Sequence, residues 1–414
     1  MFSVTFRRAF KDRMFAIISF SSVLVTLLFL GFFLYTVIYK GINVWFSHSL
    51  TLTITEWVVE KNIDETGNEI NSLTPDSYAT LEHSLQKTLP IYLLNKANLE
   101  QVELTNLISS GSSLILNSQF HKNNQITKST FVQSVPLDNE VMLFINEENE
   151  SSLTDLEKEI VRYWSAKGLI KKSFNKNFFT SYDSKSPELA GVYGALVGSV
   201  TMLLIAFMIS FPIGLGASVY FQELAPKHKI TDYLVININN LAAVPSVIYG
   251  ILGLTLFITM FGLPRASALV GGMVLSLMVM PLIIVTGMSA LANIPKSIDE
   301  AALGLGASRI QVILHHKIPL ALPGLLTGSI IGVSRALGES SPLLLIGMLS
   351  FISNKTESIT DPIASLPTII YLWSQQPEQY FAEKAAAAIF VLLVVLVFLN
   401  LFAILLRNRF QKRF

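Results

Sequence analysis

The 414-residue sequence contains no cysteine, which excludes disulfides, thiol chemistry, iron–sulfur clusters and thiolate-held zinc. Charge is scarce too: 14% of residues are Asp, Glu, Lys or Arg, against about a quarter in ordinary soluble domains. Basic and acidic residues nearly cancel to a formal net charge of +1, so no field favours nucleic acid as a partner. No G-x-x-x-x-G-K-[ST] segment is present, and ATP therefore has no phosphate-binding loop in this chain. What the sequence does hold is apolar: 51% of residues are hydrophobic, with a mean hydropathy of +0.53. Lipid is the solvent such a composition expects.

Six charge-poor runs reach the ~20 residues that cross a bilayer: 16–38, 189–220, 233–261, 266–292, 323–349 and 385–406. The first is too apolar for too long to be a secretory signal, and no small-x-small site closes it, so it is read as a retained anchor helix. One set of flanks carries Arg7, Arg8, Lys11 and Arg13, then Lys227 and Lys229, then Lys296, Arg309 and Lys317, and finally Arg407, Arg409, Lys412 and Arg413. The opposite short loops offer only Arg265, Lys355 and Lys384. Lys and Arg accumulate on the cytoplasmic side, which places both termini there and requires an even number of spans.

This topology puts residues 41–188 outside the membrane, as one insert domain and linker between residues 1–40 and a membrane core at 189–414. Within the insert, 77–109 has helical spacing interrupted at Pro90, and 153–169 reads as a helix with an acidic-led start at Ser152-Leu153-Thr154-Asp155. The runs 112–120 and 141–146 read as short strands, and 171–187 as a linker. The insert has no paired carboxylates in a recognisable frame, no G-x-S-x-G and no metal-ligand spacing, which favours a docking or structural module over a catalytic one.

Between the fourth and fifth runs, 293–322 reads as a capped helical hairpin. Ser297-Ile298-Asp299-Glu300 has the form of a capping box, with both carboxylates on the positive end of the helix dipole. Ile298, Ala301, Ala302 and Leu305 then make one small apolar face, and Gly304 and Gly306 loosen the chain for a turn. A second capping box, Ser308 to Gln311, starts a helix expected to stop ahead of Pro319. His315 and His316 point about 100° apart on a helix and do not form a metal site.

The fifth run holds the ionisable residues. Counting from Pro323 at ~1.5 Å per residue, Arg335 falls near the middle of a ~30 Å hydrocarbon core. A cation there costs at least ~2.5–3.5 kcal/mol and is expected to face the bundle interior or a watery path. Glu339 is one turn on and can pair with it. Gly338, Ser340, Ser341 and Pro342 break the helix and supply hydroxyls, and a guanidinium fork with hydroxyl donors suits a tetrahedral oxyanion.

Two motifs now resemble a known family. Glu300-Ala301-Ala302, three residues, Gly306 and then Pro319 resemble the EAA loop of ABC-importer permeases, with His316 and Ile318 as departures. Arg335-Ala336-Leu337-Gly338-Glu339-Ser340-Ser341-Pro342-Leu343-Leu344 is similar to the R-x-x-G-E-[ST]-[AS]-P-L-L segment of the PstA permeases of phosphate importers. Ala243-Val244-Pro245-Ser246-Val247-Ile248-Tyr249-Gly250 is similar to the A-x-P-S-[IV]-x-x-G segment of their third spans. The region around Phe178-Phe179-Thr180 and Pro187–Gly191 looks like the extended N-terminal region of longer PstA proteins.

The resemblance implies an α-helical polytopic type I permease: five core helices, an anchor helix and an α+β insert outside the bacterial inner membrane. It implies import of inorganic phosphate, with Arg335, Glu339, Ser340 and Ser341 on the substrate pathway and Glu300, Ala301, Ala302 and Gly306 engaging the motor. The partners it implies are a PstC-like permease, a PstB-like ATPase that binds the ATP and a PstS-like phosphate-binding protein. A PstC-type subunit, or a permease for another oxyanion, would share the hairpin and differ around residues 340–342. A membrane sensor or scaffold would need a signalling domain in the cytoplasm, where the longest internal stretch is the hairpin.

Overall fold

In the computed structural model, residues 2–54, 59–60, 74–122, 131–146, 151–348, 351–352 and 356–410 are described. The chain begins with α1 (Phe2–Gly41), a single 40-residue helix. None of the apolar window that makes it a candidate span is buried against the rest of the described residues. It meets the rest of the molecule at its far end. A side chain on Gly41 would stand 2.9 Å from the Ala387 backbone nitrogen, so glycine is what allows the approach.

The insert follows as β1 (Phe46–Ile54), β2 (Val59–Glu60), β3 (Thr74–Pro75), α2 (Ser77–Gln86), α3 (Ile91–Leu99), α4 (Ser112–Lys122), β4 (Phe131–Pro136), α5 (Asn139–Asn146), α6 (Asp155–Ala166), β5 (Ile170–Phe174) and α7 (Lys176–Thr180). β1 is the middle strand of an antiparallel sheet ordered β4-β1-β5, with Leu50 opposite both Val135 and Ile170. Its buried residues alternate, His48, Leu50, Leu52 and Ile54, as one half-buried face requires. Pro90 separates α2 from α3 as expected, and Thr154 with Glu157 forms the capping box that starts α6. The segments at 112–120 and 141–146 are helical rather than strands. A short apolar run carries no period that separates helix from strand, and at Asn139 the Asp138 carboxylate accepts the Glu140 N–H and turns the chain into α5. Nor is 171–187 a loose linker: it holds β5 and α7 and buries Asn175, Phe178 and Asp183.

The membrane part comprises α8 (Tyr193–Val219), α9 (Lys229–Ala242), α10 (Ser246–Gly253), α11 (Ala268–Ala292), α12 (Lys296–Gly304), α13 (Arg309–Val312), α14 (Ile318–Leu337), α15 (Ser341–Leu345), α16 (Leu366–Ser374) and α17 (Gln379–Phe410). Wider π turns extend α8 over Tyr220–Leu224 and α10 over Leu254–Met260, and join α13 to α14 over Ile313–Lys317. Among the described residues five helices are long and apolar enough to span a bilayer. The sixth expected span, 233–261, is broken: α9 and the α10 arm meet at 99°. Pro245 is the cause, since it lacks an N–H and drives the residue before it out of helical geometry. The Tyr249 hydroxyl donates to the Leu241 carbonyl at 2.7 Å and clasps the two arms across the break.

α8 and α11 form the centre of the bundle. A side chain on Gly272 would come within 2.6 Å of the Ile205 Cβ, so the backbones approach as closely as small residues in membrane helices permit. One apolar cluster spans the insert and the adjoining ends of α16 and α17, including Leu50, Trp164, Phe178, Trp373 and Phe381. A second joins α8, α10, α11, α14 and α15, so insert and bundle are packed as one body at that end. The protein is an α-helical polytopic membrane protein with a small sheet-containing insert.

Candidate functional site

Arg335 lies in the last turn of α14, which ends at Leu337 with Gly338 as its cap. The helix thus ends inside the run 323–349 that was expected to continue past Arg335. The helix begins earlier than the sequence suggested and runs through Pro319, because the π turn at Ile313–Lys317 re-phases the backbone bonding ahead of that proline. The expected span 323–349 is accordingly replaced by a helical stretch from Arg309 to Leu337 and the separate short helix α15. A cation in a helix's last turn is favoured by the dipole. Its functional interest therefore rests on its surroundings rather than on the cost of placing it in oil.

Those surroundings are polar and open. The Arg335 Nε lies 3.7 Å from the Glu339 Oε1, with the guanidinium half exposed (52%) and the carboxylate at 22%. Ser340 and Ser341 occupy the break between α14 and α15, half-buried, and among the described residues neither hydroxyl has a hydrogen-bond partner. Gly250 of α10 holds this break in place: a side chain there would meet the Pro342 Cα at 2.7 Å. The segments that the sequence singled out at 243–250 and 335–344 are thus packed on each other, and Tyr249 sits within electrostatic reach of Arg335. The set offers one guanidinium and two free hydroxyls on irregular backbone, donors suited to an oxyanion.

At the other end of α14 the hairpin of α12 and α13 turns at Gly306, whose φ of +86° only glycine adopts without strain. Ser308 and Gln311 make the expected capping box. The first expected box is absent. Pro295 caps α12, so Ser297 lies inside the first turn and makes no cap. Glu300 and Ala301 are exposed, while Ala302 is buried against the chain. Leu305 at the turn is 91% exposed, and Leu303, Ile310 and Leu314 are also uncovered. The apolar face is thereby split, Ala302 inward and Leu305 outward. No group of His, Asp or Glu among the described residues could hold a metal ion, and His315 only contacts the Gln311 carbonyl.

Two charge clusters escaped the sequence. At the hairpin end, Lys317 bridges Glu223 and Asp299. At the insert end, Lys384 is fully buried, donates to the Ala190 carbonyl and lies over the Phe178 and Tyr380 rings. Beside it, Asp183 accepts from Trp373 Nε1 at 3.0 Å, and Glu188 accepts from the Ser109 hydroxyl at 2.8 Å. Both lysines fall at the ends of apolar runs, where their signal is the same as that of an ordinary flanking charge.

Burial pushes the Asp183 carboxyl up to about 6, against the pull of its Trp373 and Ser184 bonds and the Lys384 charge, and burial raises Glu188 too. A carboxyl raised in the folded state contributes stability that is complete below its ordinary value near ~4 and is lost as pH rises through about 6. Asp183→Asn keeps the Trp373 contact and removes this loss. The variant is expected to melt close to wild type at pH 4.5 and above it at pH 8, by on the order of 3 kcal/mol at most. Thermal melts at the two pH values check it, and a gap that narrows with rising pH contradicts it.

Residues 210–414 match the family described as binding-protein-dependent transport system inner membrane component, and residues 3–155 match a domain of unknown function (DUF3333). The probable ABC transporter permease protein YqgI of Bacillus subtilis is 32% identical over 184 residues, which is 44% of this chain and 61% of that protein. The phosphate transport system permease protein PstA of Xylella fastidiosa is 31% identical over 238 residues, 56% of this chain and 81% of the relative. Among solved structures, a chain of the MetNI methionine ABC transporter aligns with a TM-score of 0.41 and 17% identity over 54% of this chain and 95% of that one. With the hairpin and the helical bundle in place, the shared sequence makes the chain a member of the binding-protein-dependent transport system inner membrane component family, a PstA-like ABC importer permease of the inner membrane.

Proposed function

We propose that this chain is the permease subunit through which an ATP-driven importer passes inorganic phosphate. Arg335 supplies the charged fork, Ser340 and Ser341 the neutral donors, and Glu339 orients the fork or accepts from a protonated phosphate. The observation that carries the reading is the break between α14 and α15, where two hydroxyls without a partner among the described residues follow a half-exposed guanidinium by five and six residues. Relatives named as PstA phosphate permeases support the substrate, one of them being 31% identical over 238 residues.

In this reading both termini are cytoplasmic and residues 41–188 form the outer module, as the distribution of Lys and Arg supports. The hairpin residues Glu300, Ala301, Ala302 and Gly306 engage a PstB-like ATPase, which binds the ATP. A PstC-like permease completes the pathway and a PstS-like protein delivers phosphate from outside. Alternating access then consists of helix rocking around the Arg335 site, driven through the hairpin.

The test is transport by the complete complex in proteoliposomes loaded with ATP. Radioactive phosphate is expected to accumulate and to be displaced by excess unlabelled phosphate but not by sulfate. Sulfate or molybdate uptake in its place would reassign the cargo, and absence of any ATP-dependent uptake would defeat the reading.

A further inference from the structure

We propose that Lys317 is a positioning residue that locks the coupling hairpin to the membrane helices, so that hairpin and pathway move together. The proposal rests on the permease reading above and adds the part that carries the motion. Lys317 is the last residue of the π turn, directly ahead of α14, and is only 7% exposed. Its ammonium reaches Glu223 Oε2 and Asp299 Oδ2 at 2.6 Å each. Glu223 belongs to the π turn that ends α8, and Asp299 to the first turns of α12, so one side chain ties three elements. Arg309 of α13 donates to the Glu223 carbonyl as well, and grips the same residue by its backbone.

The charges close within the cluster: two carboxylates face one ammonium and one guanidinium. The Asp299 Oδ1 is buried without a hydrogen-bond partner, and among the described residues Lys317 is the one cation that holds this carboxylate. Withdrawing the ammonium would leave two partly buried carboxylates uncompensated, which makes separation of the hairpin from α8 and α14 unfavourable. From Lys317 the continuous helix α14 runs to Arg335, a distance of 335 − 317 = 18 residues or roughly 27 Å at 1.5 Å per residue. A push on the hairpin therefore enters the helix that carries the pathway arginine at its far end. The apolar anchoring of the hairpin is narrower: in α12 and α13 the buried residues are Ala302 and Val312.

Because the chain has no cysteine, a Ser297→Cys and Ile331→Cys pair can be spin-labelled in it at only those positions. Both sites are exposed, one on the hairpin and one on α14. In the assembled complex the distance between the labels is expected to stay single and narrow with and without ATP. Lys317→Met is expected to broaden it once ATP is added and to lower phosphate uptake per ATP hydrolysed ~10-fold, with Lys317→Arg restoring both in part. Asp299→Asn, which leaves the Lys317–Glu223 pair intact on a half-buried hairpin residue, gives the same broadening in a protein whose folding is not in question. A narrow distance in both variants, with uptake per ATP as in wild type, overturns the proposal. The label distances do not depend on cargo: if they broaden as expected in a complex that moves no phosphate, the lock stands and the assigned substrate falls.

Discussion

Arg335→Gln is expected to bring ATP-dependent phosphate uptake down to background, ~100-fold or more below wild type, while the chain still inserts and joins its partners. The reasoning is local. The guanidinium offers a forked pair of charged donors, and charge-assisted hydrogen bonds are worth ~1.5–3 kcal/mol each, so losing the fork removes about two decades of affinity. The fold does not need it: the side chain is half exposed and its contact to Glu339 is long, 3.7 Å. Arg335→Lys should recover only part, since an ammonium restores the charge but not the planar fork. Uptake of radioactive phosphate in proteoliposomes, with co-purification as the control for assembly, is the measurement. Near-normal uptake by the glutamine variant would remove Arg335 from the pathway.

Glu300→Lys is expected to detach the ATPase. The residue is exposed in the first turns of α12, beside the uncovered Leu303 and Leu305. Reversal puts a wrong charge in the surface that would enter a partner's cleft. Losing a desolvated charge contact costs ~2–5 kcal/mol, hence at least ~30-fold in affinity. The neighbouring Asp299 provides an internal contrast, because its carboxylate is turned inward to Lys317. Neutralising it should loosen the hairpin from the core and leave the ATPase attached. Co-purification of the ATPase with each variant separates the two roles, and retention of the ATPase by the Glu300→Lys complex would show that docking uses another surface.

Where the structure departed from expectation, the departures share a cause. The break at Pro245 was written in the sequence as a proline after a small-residue run, yet continuous hydropathy over 233–261 concealed it. The opposite error occurred at Pro319, which was taken as a stop but is bypassed by a π turn. Proline removes one donor; whether the helix ends depends on how its neighbours re-satisfy the backbone. In the insert, β1 shows a clear alternation at Leu50, Leu52 and Ile54, whereas the two runs read as strands have none and fold as helices.

Composition and local pattern alone determined that this chain lives in a membrane, which runs are apolar enough to enter it, that a glycine-turned hairpin follows the fourth run, and that a guanidinium and hydroxyls share one segment. These are properties of neighbours along the chain, set by transfer energies and backbone preferences of a few residues at a time. Only the tertiary structure decided that Arg335 stands at a helix end packed through Gly250 on a broken partner helix, and that Lys317 joins Glu223 and Asp299. It also decided that Lys384, with Asp183 and Glu188 within electrostatic reach, is sealed where the insert meets the bundle. The bonds in these clusters span 94 residues for Lys317 to Glu223 and 194 for Lys384 to Ala190. No spacing rule reaches across such separations, because what brings the charges together is the packing of whole helices.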